Sequence, residues 1–241
     1  MINIENAINS KLAAAQIRDT LSTSNRILIP DFLNQEIAEQ LFNCLEQQVP
    51  WEMVYRENQE NKVLSPQLLN GATEAELEAL AGKIAEHAQQ KGYQFCFDRY
   101  PMLDEYLKGS QQSPLLNSFL DYANSPQFLS FCHAITGDTE IRKVELQATR
   151  YRSGSFLRKH DDHAEVKDDR RYACVLGLTR EWPSDWGGIL QFVEQDTITE
   201  SFHPLFNSMA IFKVPQEHQV SFVASYATGF RYALTGWMRA D

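Results

Sequence analysis

Residues 140–151 read EIRKVELQATRY and residues 230–238 read FRYALTGWM. Between them lie further runs rich in β-branched and aromatic residues, at 171–179, 188–193, 208–213 and 219–224, each bounded by turn-forming residues. Several short strands at such spacing predict a sandwich or barrel. Side chains alternate across a strand, so Arg231, Ala233, Thr235 and Trp237 project to one face, the face available to line a barrel interior.

Upstream the character is helical with a few strands. Apolar residues at Ile8, Leu12, Ile17 and Leu21 predict a helix over Ala7–Leu21, and Arg26–Pro30 predicts a short strand. Asn34 is placed to cap a helix that buries Ile37, Leu41 and Leu45 and ends before Pro50. Thr73-x-x-Glu76 is a capping box ahead of Leu77, Leu80 and Ile84, with Gly92 as the stop. Ser113-Pro114 and Ser125-Pro126 each predict a helix start, and Gly137 closes the second. No repeat or linker divides the chain, so one domain over 1–241 is expected. In it, residues 1–139 form a mostly helical support and residues 140–241 the β core.

The composition bounds the function. Hydrophobic residues make up 43% and charged residues 22% of the 241 positions, ordinary globular usage. The formal charge of −10 opposes attraction to phosphate backbones and anionic lipid, so neither nucleic acid nor membrane is an expected partner. Cys44, Cys96, Cys132 and Cys174 form no Cys-x-x-Cys pair and have apolar neighbours, which predicts buried free thiols. Residues Met1–Glu5 lack the basic segment and apolar run of a secretory signal, and no stretch matches a membrane span. A cytoplasmic location is expected.

Chemistry concentrates in Lys159-His160-Asp161-Asp162-His163. His160 and Asp162 are separated by one residue, so on an extended segment both project to the same side. His218, 56 residues beyond Asp162, is a candidate third ligand. Two imidazoles and one carboxylate with open positions suit non-haem iron(II). Asp161 and His163 form a second carboxylate-x-histidine pair, and His203 and His133 are further candidates, so spacing alone leaves the ligand set open. Gly187-Gly188 reads as a turn, and Trp182 and Trp186 as packing residues or the wall of a substrate groove.

The ordered set Ala148–Tyr151, Gly154–Leu157, His160–Asp162, Arg170-Arg171, Trp186–Leu190, His218 and Arg231–Trp237 resembles the prolyl 4-hydroxylase-like branch of the iron(II)- and 2-oxoglutarate-dependent oxygenases. The resemblance covers about residues 140–241. It implies a fold that is mainly β with supporting α-helices: a double-stranded β-helix, or jelly roll, buttressed by N-terminal helices. It implies His160, Asp162 and His218 as metal ligands. It also implies a pocket in which Arg231 pairs with the remote carboxylate of 2-oxoglutarate, flanked by Tyr151, Thr235 and Trp237. A guanidinium fork suits such a carboxylate. One departure stands out: many protein prolyl hydroxylases carry a tyrosine in the strand after the paired arginine, and Cys174–Thr179 has none.

The expected reaction is oxidative decarboxylation of 2-oxoglutarate to succinate and carbon dioxide, coupled to hydroxylation of a C–H bond, with ascorbate supporting activity. The target is a protein or a small molecule, with peptidyl proline first by resemblance. The rival readings are a zinc-dependent hydrolase on the same triad and a non-catalytic jelly-roll binding module. Arg231 separates them, because a hydrolase needs no dicarboxylate anchor.

Overall fold

The structure, a computed structural model, describes residues 4, 6–90, 92–163 and 169–241. The first half contains α1 (Ala14–Ser24), β1 (Arg26–Ile29), α2 (Gln35–Gln47), β2 (Glu52–Glu57), β3 (Glu60–Leu64), α3 (Pro66–Gly71), α4 (Glu74–Ala88), β4 (Phe95–Tyr100), α5 (Met102–Leu107), α6 (Pro114–Ala123) and α7 (Pro126–Thr136). Eight strands follow: β5 (Lys143–Tyr151), β6 (Phe156–His160), β7 (Arg170–Gly177), β8 (Leu190–Glu194), β9 (Thr197–Phe202), β10 (Ser208–Lys213), β11 (His218–Val220) and β12 (Arg231–Arg239).

Local chemistry sets several of the helix ends. The Thr73 hydroxyl accepts from the Glu76 N–H at 3.3 Å while the Glu76 carboxylate accepts from the Thr73 N–H at 2.8 Å, a complete capping box on α4. Ser125 caps α7 through the Phe128 N–H at 3.3 Å, and Gly137 ends that helix with φ 73°. Asn34 and Ser113 occupy N-cap positions without capping; the Asn34 amide donates instead to the Asn6 carbonyl at 2.6 Å. The helix expected from Ala7 begins only at Ala14. Ile8 bridges to Leu33, and its N–H donates to the Tyr122 hydroxyl at 3.2 Å, so the preceding turn is spent on sheet-like and tertiary contacts.

All pairings between the strands are antiparallel, in the order β1-β10-β7-β12-β5-β4-β6-β11-β8-β9, with β2 joined to β4 and β3 to β2. This is the double-stranded β-helix. One strand from the first half links its two walls: Asp98–Tyr100 of β4 pair with β5, while Phe95 and Cys96 pair with β6.

Alternation then sorts the side chains. Tyr232, Leu234 and Met238 of β12, Leu146 and Ala148 of β5, and Cys174 and Leu176 of β7 pack with Leu41, Leu45, Leu116, Phe119 and Ile135 from the helices in one hydrophobic cluster. The opposite faces of the same strands line the barrel interior. All four cysteines are buried and free, as expected.

Candidate metal centre

Two cross-strand pairs build the site. In the ladder between β6 and β11, His160 lies opposite His218, and the imidazole centroids are 4.1 Å apart. In the ladder between β5 and β12, Arg231 lies opposite Tyr151, with the guanidinium carbon 4.9 Å from the phenol ring centroid. Directly opposed residues on one face of a sheet are obligate neighbours.

Asp162 arrives by a turn. β6 ends at His160, the Asp161 carboxylate accepts from the His163 N–H at 3.0 Å, and Asp162 takes φ 60°. Aspartate tolerates this left-handed backbone better than most residues, and side-chain turns of this kind stabilise it. The shared side expected of His160 and Asp162 is therefore produced by a tight turn at the strand end, where simple alternation has stopped. The same turn occupies Asp161.

The donors converge. Asp162 Oδ1 is 3.4 Å from His160 Nε2, and Asp162 Oδ2 is 3.5 Å from His218 Nε2. One ligand atom from each of the three residues lies within 4.8 Å of the others. His160 Nδ1 is 2.9 Å from the Arg158 carbonyl, and His218 Nδ1 is 2.8 Å from the Gln216 carbonyl. Each carbonyl accepts a proton held on Nδ1, which leaves both Nε2 lone pairs aimed at the common centre. Burial, reinforced by the charge of His160, brings His218 down to about 4 against the opposing pull of Asp162, so it is neutral at pH 7. Burial would raise the Asp162 carboxyl, but the His160 hydrogen bond and the charges of His218 and His160, with smaller help from Trp237, bring it down to about 2. The neutral His218 imidazole and the ionised Asp162 carboxylate are in the forms that ligate a divalent cation.

The other candidate histidines are engaged elsewhere. His203 Nε2 lies 2.9 Å from the Trp182 carbonyl and His133 Nε2 lies 2.7 Å from the Ile141 carbonyl.

A cavity runs from the triad into the barrel, and Tyr151, Arg231, Thr235 and Trp237 line it with His160, Asp162 and His218. Arg231 is 4% exposed and its Nε has no hydrogen-bond partner. Among the described residues no carboxylate lies within ion-pair distance of it. Burial lowers its pKa, partly offset by Tyr151, and burial raises that of Tyr151 against the pull of Arg231. The phenol therefore keeps its proton. Tyr151 also stacks on Phe97 at 5.2 Å and 9°.

Gly187 and Gly188 do more than turn the chain. A Cβ on Gly187 would collide with the Phe222 carbonyl oxygen, and one on Gly188 would stand 3.4 Å from Arg231 Cδ, so this segment packs over the arginine stem. Trp182 and Trp186 meet edge to face at 5.1 Å beside it. The β7 residues that line the cavity are Ala173, Cys174 and Val175, so that strand contributes no hydroxyl.

Sequence reasoning missed several walls. Gln147 and Thr149 line the cavity with Tyr151, and alternation backward from Tyr151 finds both. Tyr93, whose ring is 5.0 Å from that of His160, belongs to no spacing pattern. A groove adjoins the cavity and shares Tyr93, Phe97, Gln147, Asp162 and Trp237 with it. Asn61, Arg99, Asp104, Glu145 and Arg170 give this groove a polar outer wall.

Residues 146–239 match the 2OG-Fe(II) oxygenase superfamily. A 118-residue stretch is 32% identical to the mouse protein named prolyl 3-hydroxylase OGFOD1, covering 46% of this chain and 21% of that one. The chain thus spans about a fifth of the length of that curated relative. Among solved structures, a Pseudomonas putida prolyl-4-hydroxylase superposes with a TM-score of 0.58 at 19% identity, covering 95% of this chain and all of that one. A Trichoplax adhaerens prolyl hydroxylase in complex with a hypoxia inducible factor peptide gives 0.54 at 18% identity, covering 94% and 89%. At these identities the likeness to the solved structures is one of fold.

Proposed function

From the premise that residues 146–239 belong to the 2OG-Fe(II) oxygenase superfamily, we propose that the chain is a 2-oxoglutarate-dependent dioxygenase that hydroxylates a C–H bond. His160, Asp162 and His218 would hold iron(II), and their donor set fits that ion. Bound there with 2-oxoglutarate, iron(II) supplies the oxidising chemistry, with release of succinate and carbon dioxide.

The observation that carries this reading is Arg231. A buried guanidinium without an acidic partner is costly, and this one faces the same cavity as the triad. Its fork is suited to the remote carboxylate of 2-oxoglutarate. Tyr151, which keeps its proton, is placed to donate to the same anion, and Thr235 and Trp237 would wall the co-substrate pocket. Leu190, Phe212 and Val220 would keep water from the cavity interior. A zinc hydrolase on this triad has no use for such an anchor, and a binding module has no use for the triad.

Peptidyl proline is the first target to test, because the mouse relative is named a prolyl 3-hydroxylase and the Trichoplax enzyme holds a peptide. We read 1–241 as one catalytic unit working in the cytoplasm, on a protein or small-molecule target, with ascorbate supporting turnover. No helix is long and apolar enough to cross a membrane among the described residues. The deciding assay incubates the chain aerobically with iron(II), ascorbate and 2-oxoglutarate and measures succinate, then searches cell extract by mass spectrometry for products that have gained one oxygen atom. Succinate formed in an iron- and oxygen-dependent manner is expected. None from the metal-loaded protein, with or without extract, would sink the oxygenase reading.

A further inference from the structure

A row of cross-strand pairs runs along the interior face of the β5–β12 ladder: Tyr151 opposite Arg231, Thr149 opposite Ala233, Gln147 opposite Thr235, and Glu145 opposite Trp237. The row begins in the metal cavity with Tyr151 and Arg231 and ends in the outer groove with Glu145. Gln147 lines both, and among the described residues it is the one carboxamide that the cavity and the groove share. A molecule that enters by the groove and reaches the triad passes this side chain.

The polar neighbours of Gln147 in the row are committed. The Thr149 hydroxyl donates to the Ala233 carbonyl at 3.3 Å, and the Glu145 carboxylate accepts from Arg239 Nη1 at 2.5 Å. Arg231 and Tyr151 face each other at the co-substrate end. Gln147 is half-buried, and among the described residues its carboxamide has no hydrogen-bond partner. Apolar walls hold a ligand without fixing its orientation, which falls to the few polar groups in a site. A carboxamide presents one acceptor and two donors with no net charge. A peptide group presents the matching N–H and C=O, so the two can close a pair of hydrogen bonds without burying a charge.

We propose that Gln147 is a specificity-determining residue of the target site: its carboxamide pairs with a peptide group of the target and so sets which carbon stands beside the metal. This rests on the oxygenase reading above and narrows it to a peptide target.

The test incubates the full chain in air with iron(II), 2-oxoglutarate and ascorbate and with two probes made from cell extract, its tryptic peptides and its small-molecule fraction freed of peptides. Peptides that have gained one oxygen are expected. Succinate without any oxidised peptide would overturn this inference alone, whereas no succinate with either probe would overturn it together with the oxygenase reading. The most strongly oxidised peptide is then resynthesised with an ester oxygen in place of each N–H within two residues of the oxidised carbon. Its binding to the chain loaded with manganese(II) and N-oxalylglycine is measured by calorimetry. One ester should weaken binding to the wild-type chain about tenfold, and Gln147→Leu, itself about tenfold weaker for the parent peptide, should be indifferent to that ester. Tolerance of every ester by the wild-type chain, equal sensitivity of both chains, or parent binding unaffected by Gln147→Leu would each refute the pairing. Gln147→Leu should also retain the charge-transfer absorption of the anaerobic iron(II)–2-oxoglutarate complex. Loss of that band in a folded variant would set Gln147 against the co-substrate and refute its assignment to the target.

Discussion

Arg231 is buried with no acidic partner among the described residues, a cost that the proposed anion in the cavity would offset. Arg231→Ala should raise the 2-oxoglutarate concentration for half-maximal succinate formation at least about tenfold, since losing a partly buried charge pair costs roughly 2–5 kcal/mol. Metal uptake without co-substrate, read by calorimetry with manganese(II), should stay near normal. Arg231→Lys should recover part of the affinity, because an ammonium restores charge without the planar fork. Arg231→Met should raise the Tm of the ligand-free protein while abolishing turnover, because an apolar side chain of similar length removes an unpaired buried charge; an unchanged or lower Tm would refute the cost assigned to Arg231. His218 makes a different demand. Its folded pKa of about 4 lies below the ordinary 6.5, so between these values the unfolded chain binds a proton that the folded chain refuses. The stability it contributes to the metal-free protein is complete above pH 6.5 and lost as pH falls toward 4. Urea unfolding at pH 7 and pH 5 should show the drop, and His218→Gln should reduce it.

At the level of elements, the capping box on α4 is a local stabiliser remote from the triad. Thr73→Ala should cost about 1 kcal/mol and lower the Tm by about 2–4 °C, with the 2-oxoglutarate requirement unchanged. Calorimetry and a succinate titration would check the pair. The same element shows what was readable in advance, since Thr73, Glu76 and the apolar stripe behind them all act within one turn of chain. Strands β5, β7, β10 and β12 were equally readable, because each is a run of apolar, β-branched and aromatic residues bounded by turn-forming ones, and one face of each packs on the helices. Of the hairpins β2–β3 and β8–β9, only β8 was expected, from the run at 188–193. Their turns run through Asn58-Gln59 and Gln195-Asp196, all at positive φ, without the glycine that signals such turns. β9 is exposed along most of its length, so it has no periodicity to detect. β6, with Arg158-Lys159-His160 in five residues, looks too charged for a strand until its partner β11 is known. In the site, spacing left the ligand set open, and the resemblance singled out His160, Asp162, His218 and Arg231 as candidates. Tyr93 was not visible, because its proximity to His160 is made by the pairing of β4 with β6 and by nothing local.

For the whole molecule, the two halves of the sequence are not two halves of the structure. A fragment of residues 140–241 would keep the triad and Arg231 but lose β1 from the edge of β10 and β4 from between β5 and β6. It would also expose the apolar face of β12 and β5 that the helices cover. That fragment should show no cooperative unfolding transition and no manganese(II) binding, by circular dichroism and calorimetry. Either property in the fragment would show the strands from the first half to be dispensable. β4 has a bearing on ancestry and engineering as well. Because among the described residues it alone joins the wall that carries Arg231 to the wall that carries His160, the stretch most easily matched between relatives is shorter than the piece that can be exchanged between them. A working chimera would need its seam ahead of Arg26, where no strand has yet been committed to the barrel.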